Sequence, residues 1–503
     1  MKKLNKNRKQ STKKTSNKKG ASLSPELQDA LTVLCPRCSA FPGDHCMHTK
    51  GKKKGGKCLP HEERIRLAKV KLSSISKDKI SKITTEVVEG FKVKKADPHE
   101  KLTPEQAEVV KVISDKILTL GRHAEFVGPV TVGPIISTYR FFPVKRTKVA
   151  HLEAMNKDFA VALGAESIVV KRMPGESAVG IFVPNKKRLL VTFKSTLQHV
   201  SAYMQEDTDD KHKPIPLNFG IDSNGDPAVD DLTMQPHLLI AGTTGSGKST
   251  EQHALVLSMC WTMAPEELQM IISDTKGVEF TKFKALPHLI RPICTDRYKT
   301  LEALDFCVKE TQDRLDAFGE KGVRNIHEYN KLNPTHQMPY IVFVIDELAD
   351  LVGPGLEKAE AKAASDKLGI IVARSRASGI HMIVATQRPD VKLIKGNIKA
   401  NFPTRLCFRL PSHQDSRTVL STKGAENLMS RGDCFYQSSM HPELRRLHAP
   451  LTTLEDTVTV VAGILTRHQE ESEIRLREAQ PVINPEDAFQ TTKPAEFNKS
   501  WKN

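Results

Sequence analysis

The chain of 503 residues is long enough for several domains, each with a core of its own. Its net charge of +17 lies entirely in residues 1–95, which hold 25 Lys and Arg against eight Asp and Glu, because the other 51 basic and 51 acidic residues cancel. No secretory signal is present, and no apolar run approaches the roughly 18 residues that a membrane span needs. The odd number of nine cysteines argues against a disulfide framework. We therefore expect a cytoplasmic protein without membrane insertion.

The first twenty residues, MKKLNKNRKQSTKKTSNKKG, contain nine basic residues, no acidic residue and almost nothing apolar. Such a segment cannot bury enough surface to offset its chain entropy, so residues 1–34 are predicted to be a disordered basic tail. A flexible polycation binds polyanions through counterion release, which favours nucleic acid as its target. A solubilising tail or a tail that binds anionic membranes is the alternative.

A cysteine-rich segment follows, and its spacing predicts a zinc module over residues 35–71. A C-x2-C turn directs two thiolates at one ion, and later residues complete a tetrahedral Cys3His set. The predicted ligands are Cys35, Cys38, Cys46 and His61, with Cys58 as an alternative to Cys46 and His48 as a further candidate. A polar segment that merely contains free thiols is the alternative. It is disfavoured because cysteine is usually buried, and this segment has almost no apolar core to bury it in. Its lysine run, KGKKKGGK, suits phosphate contact, and residues 72–100 are predicted to be a linker.

A phosphate-binding loop is predicted between an apolar strand, HLLIAG, and a helix-like run, STEQHALVLSMCWTM. The loop has the pattern G-x4-G-K-S and comprises Gly242, Thr243, Thr244, Gly245, Ser246, Gly247, Lys248 and Ser249. Strand, glycine-rich loop and helix are the context in which backbone N–H groups close around nucleotide phosphates. Lys248 is expected to reach the β- and γ-phosphates of ATP, and the Ser249 hydroxyl is expected to hold Mg²⁺.

A pair of carboxylates is predicted to complete this site. The apolar run in YIVFVIDELADL indicates a buried strand of a parallel sheet, and it ends at Asp346 and Glu347. Side chains at the C-terminal ends of such strands face the ligand crevice. We expect Asp346 to bind Mg²⁺ through water and Glu347 to polarise the attacking water. Acids that only cap a following helix are the alternative, which the upstream loop disfavours.

Three further apolar runs, LQMIISD, GIHMIVATQ and TRLCFRL, alternate with segments of helix length. Alternation of this kind predicts an α/β domain with a doubly wound, mainly parallel sheet. Gln387 comes just after HMIVAT, at the end of the second of these runs, where its amide could sense the γ-phosphate. A polar residue that merely ends the strand is the alternative for Gln387.

Several motifs together resemble the FtsK/SpoIIIE family of double-stranded DNA translocases. They occur in family order between about Gly220 and Leu451, and they read PHLLIAGTTGSGKS, GVRNIHEYN, VIDELADL, RASGIHMIVATQRPDV, IKANFPTR, DSRTVL and GAENLMSRGDCFY. The resemblance implies a RecA-like motor domain over residues 216–470, followed by a tail at 471–503. Upstream, GPIISTYRF and GIFVPNKKR resemble the family's small alpha domain, expected as an α+β unit over residues 101–215. The cysteine segment resembles zinc fingers of phage and mobile-element DNA-binding proteins.

The resemblance further implies a hexameric ring around duplex DNA, with ATP hydrolysed between subunits. Arg376 matches the arginine that the family supplies to the neighbouring subunit's nucleotide. Three residues match positions that the family directs at DNA in the pore, namely Arg388, Lys399 and Arg417. An ordinary surface or interface salt bridge is the alternative for each. His413 stands where the family often has a lysine.

The sequence therefore predicts an ATP-driven translocase of duplex DNA that a basic zinc module recruits, serving a phage, a plasmid or another mobile element. A conjugation or packaging ATPase that pumps DNA through a pore made by partners is one alternative, which co-purification with such a partner would distinguish. A DNA-binding protein whose nucleotide only regulates assembly is another, although Glu347 argues against it. Restriction or defence translocases are also open, without a clear nuclease motif in the chain.

Overall fold

The computed structural model describes residues 102–173, 175–206, 213–353, 357–389 and 402–479. Several predictions concern positions outside these ranges: the basic tail, the zinc ligands Cys35, Cys38, Cys46, Cys58 and His61, the whole linker, Lys399 and the end of the C-terminal tail. The domain bounds drawn from the sequence stay predictions.

The first described unit is a small α+β domain. Its elements are α1 (Pro104–Thr119), β1 (Ala124–Phe126), β2 (Thr131–Val132), β3 (Ile136–Pro143), α2 (Val149–Glu153), α3 (Asn156–Leu163), β4 (Val169–Arg172) and β5 (Val179–Pro184). Helix α1 begins with a reciprocal capping box between Thr103 and Gln106, which satisfies N–H groups at the helix start. The antiparallel strands lie in the order β1-β3-β5-β4, with β2 paired to β3. Ile113 of α1 and Phe141 of β3 are buried in the core between helices and sheet.

The second unit is built on a sheet of nine strands. These strands are β6 (Pro216–Asp222), β7 (Pro227–Asp231), β8 (His237–Ala241), β9 (Leu268–Ser273), β10 (Tyr340–Ile345), β11 (Ile380–Thr386), β12 (Thr404–Phe408), β13 (Asp433–Gln437) and β14 (Arg445–His448). The α-helices of this unit are α4 (Phe193–Glu206), α5 (Lys248–Thr262), α6 (Arg297–Lys321), α7 (Ile326–Leu332), α8 (Ala349–Val352), α9 (Lys358–Ser378), α10 (His413–Leu420) and α11 (Leu454–Ala479).

The strand order is β7-β6-β14-β13-β12-β8-β11-β10-β9. Strands β12, β8, β11, β10 and β9 pair in parallel, and they are the five apolar runs that the sequence predicts as strands. Strands β13, β14, β6 and β7 extend the sheet with antiparallel pairs. The α/β architecture is thus confirmed, and the sheet is mixed, with a parallel half that carries the candidate site.

The parallel half is buried on both faces, which explains why its strands are apolar without alternation. In β8, Leu238 and Ile240 belong to one buried cluster, whereas Leu239 and Ala241 belong to the cluster on the other face. Helices α5 and α11 cover the first face, and α6 and α9 contribute apolar residues to the second. The sheet is therefore doubly wound, with the C-terminal ends of its parallel strands at one edge.

The small domain joins the motor sheet through the segment before α4. The Leu451 N–H donates to the carbonyl of Val191 at 2.9 Å, and the Phe193 N–H donates to the carbonyl of Leu451 at 3.1 Å. Phe193 itself is buried in the motor core. Helix α4 consequently packs on the nine-stranded sheet.

Membrane-spanning helices and disulfides can be assessed only for the described ranges. Within them, no helix combines the length and the apolar character that crossing a membrane requires. The five cysteines in those ranges are all buried and free: Cys260, Cys294, Cys307, Cys407 and Cys434. In this part of the chain, cysteine is therefore a core residue.

Candidate active site

The glycine-rich loop connects the end of β8 to the start of α5 at Lys248, as predicted. Gly247 has φ +115°, and a Cβ on it would lie 2.7 Å from the backbone nitrogen of Gly432, so only glycine fits. A Cβ on Gly245 would meet nothing within 4 Å, which leaves the loop open on that side. The first N–H groups of α5 have no acceptor within the helix. The loop therefore forms an anion cradle at a helix N-terminus.

Lys248 is buried and reaches across to the end of β10. Its ammonium nitrogen Nζ lies 2.7 Å from Oδ1 of Asp346 and 3.0 Å from the carbonyl oxygen of the same residue. Nζ also donates to Oε1 of Gln252, one turn along α5, at 3.1 Å. Both charged side chains are 3% exposed, so the pair is a desolvated ion pair. The structure thus brings together the predicted lysine and the predicted magnesium ligand.

Glu347 is held by the residues that end β11. Its Oε1 accepts a hydrogen bond from the Thr386 hydroxyl at 2.8 Å, and its Oε2 accepts one from the Gln387 N–H at 3.0 Å. The N–H of Ala349 also donates to Oε1, at 3.2 Å. Glu347 is 6% exposed, and the three donors fix the orientation of its buried carboxylate.

Gln387 links the loop to this carboxylate. Its side-chain Oε1 accepts a hydrogen bond from the Thr244 hydroxyl at 3.2 Å, while its backbone N–H donates to Glu347. The link follows from strand order, because β11 lies between β8 and β10 in the sheet. A residue at the end of β11 is therefore adjacent to both the loop and the acidic pair.

The residues present fit a magnesium nucleotide. Mg²⁺ prefers oxygen ligands, and the site offers two. One is the half-buried Ser249 hydroxyl of the loop, and the other is the Asp346 carboxylate at the end of β10, which Lys248 contacts. The hydroxyl oxygen of Ser246 is buried, and no described residue offers it a hydrogen-bond partner. Together with the open side at Gly245, these features suit a polar, phosphate-bearing ligand in the cradle.

The predicted arginines lie elsewhere. Arg376 is exposed in the last turn of α9, next to the N-terminal end of β11. Seven residues of β11 separate that end from the loop, a span of roughly 20 Å at the usual rise of a strand. Arg388 is exposed just beyond the C-terminal end of β11, and Arg417 and His413 are exposed on α10. Only Arg388 is close in sequence to the residues that hold Glu347.

Sequence reasoning missed three side chains around the site. Thr386 and Gln252 contact Glu347 and Lys248, respectively. The hydroxyl of Thr386 stands at the end of a buried strand, which is a signal, but its partner depends on which strands are neighbours in the sheet. Gln252 stands four residues after Lys248, a spacing that brings two side chains together on one helix face.

Glu251, the third missed residue, is the unusual one. It lies in the first turn of α5, its side chain is fully buried, and neither carboxylate oxygen has a hydrogen-bond partner among the described residues. Burial raises the pKa of Glu251 well above the usual range of a carboxyl group. Burial therefore favours the protonated, neutral form of this carboxyl.

A strand, a glycine-rich loop, a helix and a buried lysine that meets an acidic pair at a nearby strand end define a P-loop ATPase domain of RecA-like fold. The family model for FtsK/SpoIIIE matches residues 199–391, and the model for the FtsK alpha domain matches residues 88–185. A third model, described as a "Putative DNA-binding phage zinc finger domain", matches residues 21–74. The chain belongs to the FtsK/SpoIIIE family.

Named relatives are similar over most of this chain. DNA translocase FtsK of Helicobacter pylori strain 26695 is 38% identical over 342 residues, which are 67% of this chain and 38% of that protein. DNA translocase FtsK of Staphylococcus aureus strain Mu50 is 33% identical over 385 residues, which are 74% of this chain and 47% of that protein. The chain thus spans less than half the length of these relatives.

Among solved structures, the chain is similar to the conjugation coupling protein TcpA of pCW3 in its monomer form with ATPγS. The TM-score is 0.49 at 21% sequence identity, and the match covers 72% of this chain and 99% of that one.

Proposed function

We propose that this protein is an ATP-driven translocase of double-stranded DNA that works as a ring oligomer. The observation that carries the proposal is the convergence of Lys248, Asp346 and Glu347 at one sheet edge, in a chain whose similar relatives are DNA translocases. A phosphate cradle alone would suit any nucleotide-binding protein. The presence of Glu347 beside Asp346 favours hydrolysis, because a protein that only senses a nucleotide needs no water-polarising carboxylate.

Each side chain has a distinct role in this proposal. Lys248 places a positive charge at the β- and γ-phosphates, and Glu347 takes up the proton of the attacking water. Mg²⁺, held by Ser249 and, through water, by Asp346, would neutralise charge on the phosphate oxygens. Gln387 senses the γ-phosphate, which its hydrogen bond to Thr244 of the loop supports.

In the proposed ring, each subunit supplies an arginine to the nucleotide of its neighbour. The position of Arg376, near the edge of the sheet opposite its own loop, supports a role at the nucleotide of a neighbouring subunit. Its side chain is exposed, and its guanidinium makes no hydrogen bond or ion pair with a described residue. The guanidinium is therefore accessible to a neighbouring subunit. An arginine supplied in trans stabilises the charge that develops on the transferred phosphoryl group.

Contacts with DNA are assigned to the pore side of the motor. Arg388, Lys399 and Arg417 are proposed to grip phosphates, which carry no sequence information and so allow continuous tracking along a duplex. Recruitment is assigned to the zinc module of Cys35, Cys38, Cys46 and His61 together with the basic tail. The match to a phage zinc-finger model and the concentration of positive charge in residues 1–95 support recruitment, in the cytoplasm, to the DNA of a mobile element.

The proposal is tested by ATP hydrolysis measured without nucleic acid, with single strands and with long duplex DNA. We expect strong stimulation by duplex alone and its loss in Lys248→Ala. Hydrolysis that is indifferent to DNA would contradict the proposed substrate.

Recruitment is tested separately with full-length Cys35→Ser/Cys38→Ser, which removes two zinc ligands and keeps every positive charge. Loading on duplex at physiological salt should fall in this variant and fall further when residues 1–95 are deleted. Unchanged loading in the deletion variant would refute recruitment by this region, whereas loss only in the deletion variant would assign it to charge without zinc.

A further inference from the structure

The end of β11 contacts the proposed catalytic carboxylate Glu347, the proposed DNA-binding residue Arg388 and, through Gln387, the nucleotide-binding loop. Thr386 is fully buried there, and its hydroxyl lies 2.8 Å from Oε1 of Glu347. The same hydroxyl oxygen accepts a hydrogen bond from the Arg388 N–H at 3.1 Å. One side chain thus contacts both the proposed catalytic carboxylate and the backbone of a residue proposed to bind DNA.

The donor and acceptor roles at Thr386 are determined by what a hydroxyl can do. It has one hydrogen, and the acceptors within reach are Glu347 Oε1 and, at 3.2 Å, the carbonyl oxygen of Arg388. The carboxylate is closer and charged, so it is the stronger acceptor and receives the hydrogen. The lone pairs of the hydroxyl then remain available to the Arg388 N–H.

A second path runs through the next residue. The Gln387 N–H donates to Oε2 of Glu347, and the Gln387 side chain accepts from Thr244 of the nucleotide-binding loop. A shift of the backbone at Arg388 would therefore change two of the three hydrogen bonds that hold Glu347, while the bond from the Ala349 N–H would remain. Each bond also occupies lone pairs that the carboxylate would otherwise offer to water.

We propose that Thr386 is a positioning residue that restrains Glu347 and releases it when Arg388 engages DNA. The inference rests on the proposed function, because it explains how duplex DNA stimulates ATP hydrolysis at this site. In the absence of DNA, the hydroxyl keeps Glu347 against the end of β11 and hydrolysis is slow. Engagement of Arg388 displaces its N–H, which frees Thr386 and, through it, the carboxylate.

The test compares full-length Thr386→Val, which is isosteric but lacks the hydroxyl, with Thr386→Ser, which keeps it. The matched control is Thr404→Val, because Thr404 is equally buried, lies in the adjacent region of the sheet and donates to Gln235, away from the site. Phosphate release is measured at saturating ATP with and without long duplex, and the KM for ATP is measured in parallel.

We expect Thr386→Val to raise the DNA-free rate by about threefold to tenfold, the size that one hydrogen bond corresponds to, and to lower the stimulation ratio by the same factor. The KM for ATP should stay unchanged, and Thr386→Ser and Thr404→Val should behave like the natural protein. A proportional fall of both rates in Thr386→Val, wild-type rates in it, or failure of serine to restore coupling would each overturn the inference. If the natural protein shows no stimulation by duplex, the proposed function fails instead.

Discussion

Lys248 and Asp346 form a buried ion pair across a strand to which neither belongs. Lys248 follows β8 and Asp346 follows β10, while β11 lies between those strands, yet Nζ and Oδ1 are 2.7 Å apart. The lysine therefore passes over the end of β11, where Thr386 and Gln387 hold Glu347. Two sets of hydrogen bonds thus meet at this end of the sheet: Lys248 binds Asp346, and Gln387 binds both Thr244 of the loop and Glu347.

The contribution of the Lys248–Asp346 ion pair to protein stability can be measured separately from its contribution to ATP hydrolysis. Lys248→Ala should abolish ATP hydrolysis and lower the free energy of unfolding by about 3–5 kcal/mol, because it leaves a buried carboxylate unpaired. Lys248→Ala/Asp346→Asn should recover part of that loss without recovering hydrolysis. Urea denaturation of the two single variants and the double variant provides the measurement, as a double-mutant cycle. Additive losses would show that the ion pair contributes no coupling energy.

Glu347→Gln should separate binding from hydrolysis. The amide keeps the shape of the side chain but cannot take up a proton, so the turnover number should fall by about 10²- to 10⁴-fold. The dissociation constant for ATP should change little, since Lys248 and the loop are intact. Phosphate release and titration with a fluorescent ATP analogue provide the two readouts. A loss of ATP binding equal to that of Lys248→Ala would contradict the role of Glu347 as a base.

Arg376→Ala should lower hydrolysis by about 10³-fold or more if the arginine completes a neighbour's site. Arg374→Ala is the matched control, because Arg374 is exposed two residues earlier on α9. Mixing Arg376→Ala subunits with Lys248→Ala subunits should restore hydrolysis, since some interfaces then combine an intact loop with an intact arginine. A mixture as inactive as its components, or equal losses in the Arg374 control, would count against action in trans.

Glu251 should make the motor less stable as pH rises. The folded state keeps the carboxyl protonated, because burial raises its pKa, whereas the unfolded chain ionises near its ordinary value of 4.5. Above that pH, the contribution of Glu251 to the free energy of unfolding falls by up to about 1.4 kcal/mol per pH unit, until the pH passes the folded pKa.

Replacing Glu251 by Gln removes this dependence. The stability gained by the variant should therefore be smallest near pH 4.5 and should grow toward pH 8, measured by urea denaturation at each pH. Glu302→Gln, at an exposed position of α6, is the control and should show no such trend. A gain that is constant with pH would show that the folded protein does not keep Glu251 neutral.

The parallel half of the motor could be predicted from the sequence because each of its strands is buried on both faces. Mostly apolar runs of five to seven residues result, and each parallel strand corresponds to such a run. The antiparallel half is harder to predict, because partly exposed strands such as β7, with Asp230 and Asp231, have no such run. Their pairing depends on long-range contacts between β6 and β14.

The candidate site likewise has residues that the sequence predicts and residues that it does not. Lys248, Asp346 and Glu347 are marked by local spacing after a strand, and the structure brings them together as predicted. The contacts of Thr386 depend on strand order in the sheet, which one sequence does not encode locally. The raised pKa of Glu251 depends on the complete burial of its side chain, because spacing on the helix alone would allow a solvated carboxylate.

If ATP hydrolysis moves this protein along duplex DNA, the moving protein should displace a third strand bound to that duplex. A labelled oligonucleotide is bound as a triplex at the end of a long duplex, and its release is followed with ATP, with ATPγS and without nucleotide. We predict rapid release with ATP alone and none with Glu347→Gln, which still binds ATP. Duplex-stimulated hydrolysis without release, or release that does not need hydrolysis, would contradict translocation.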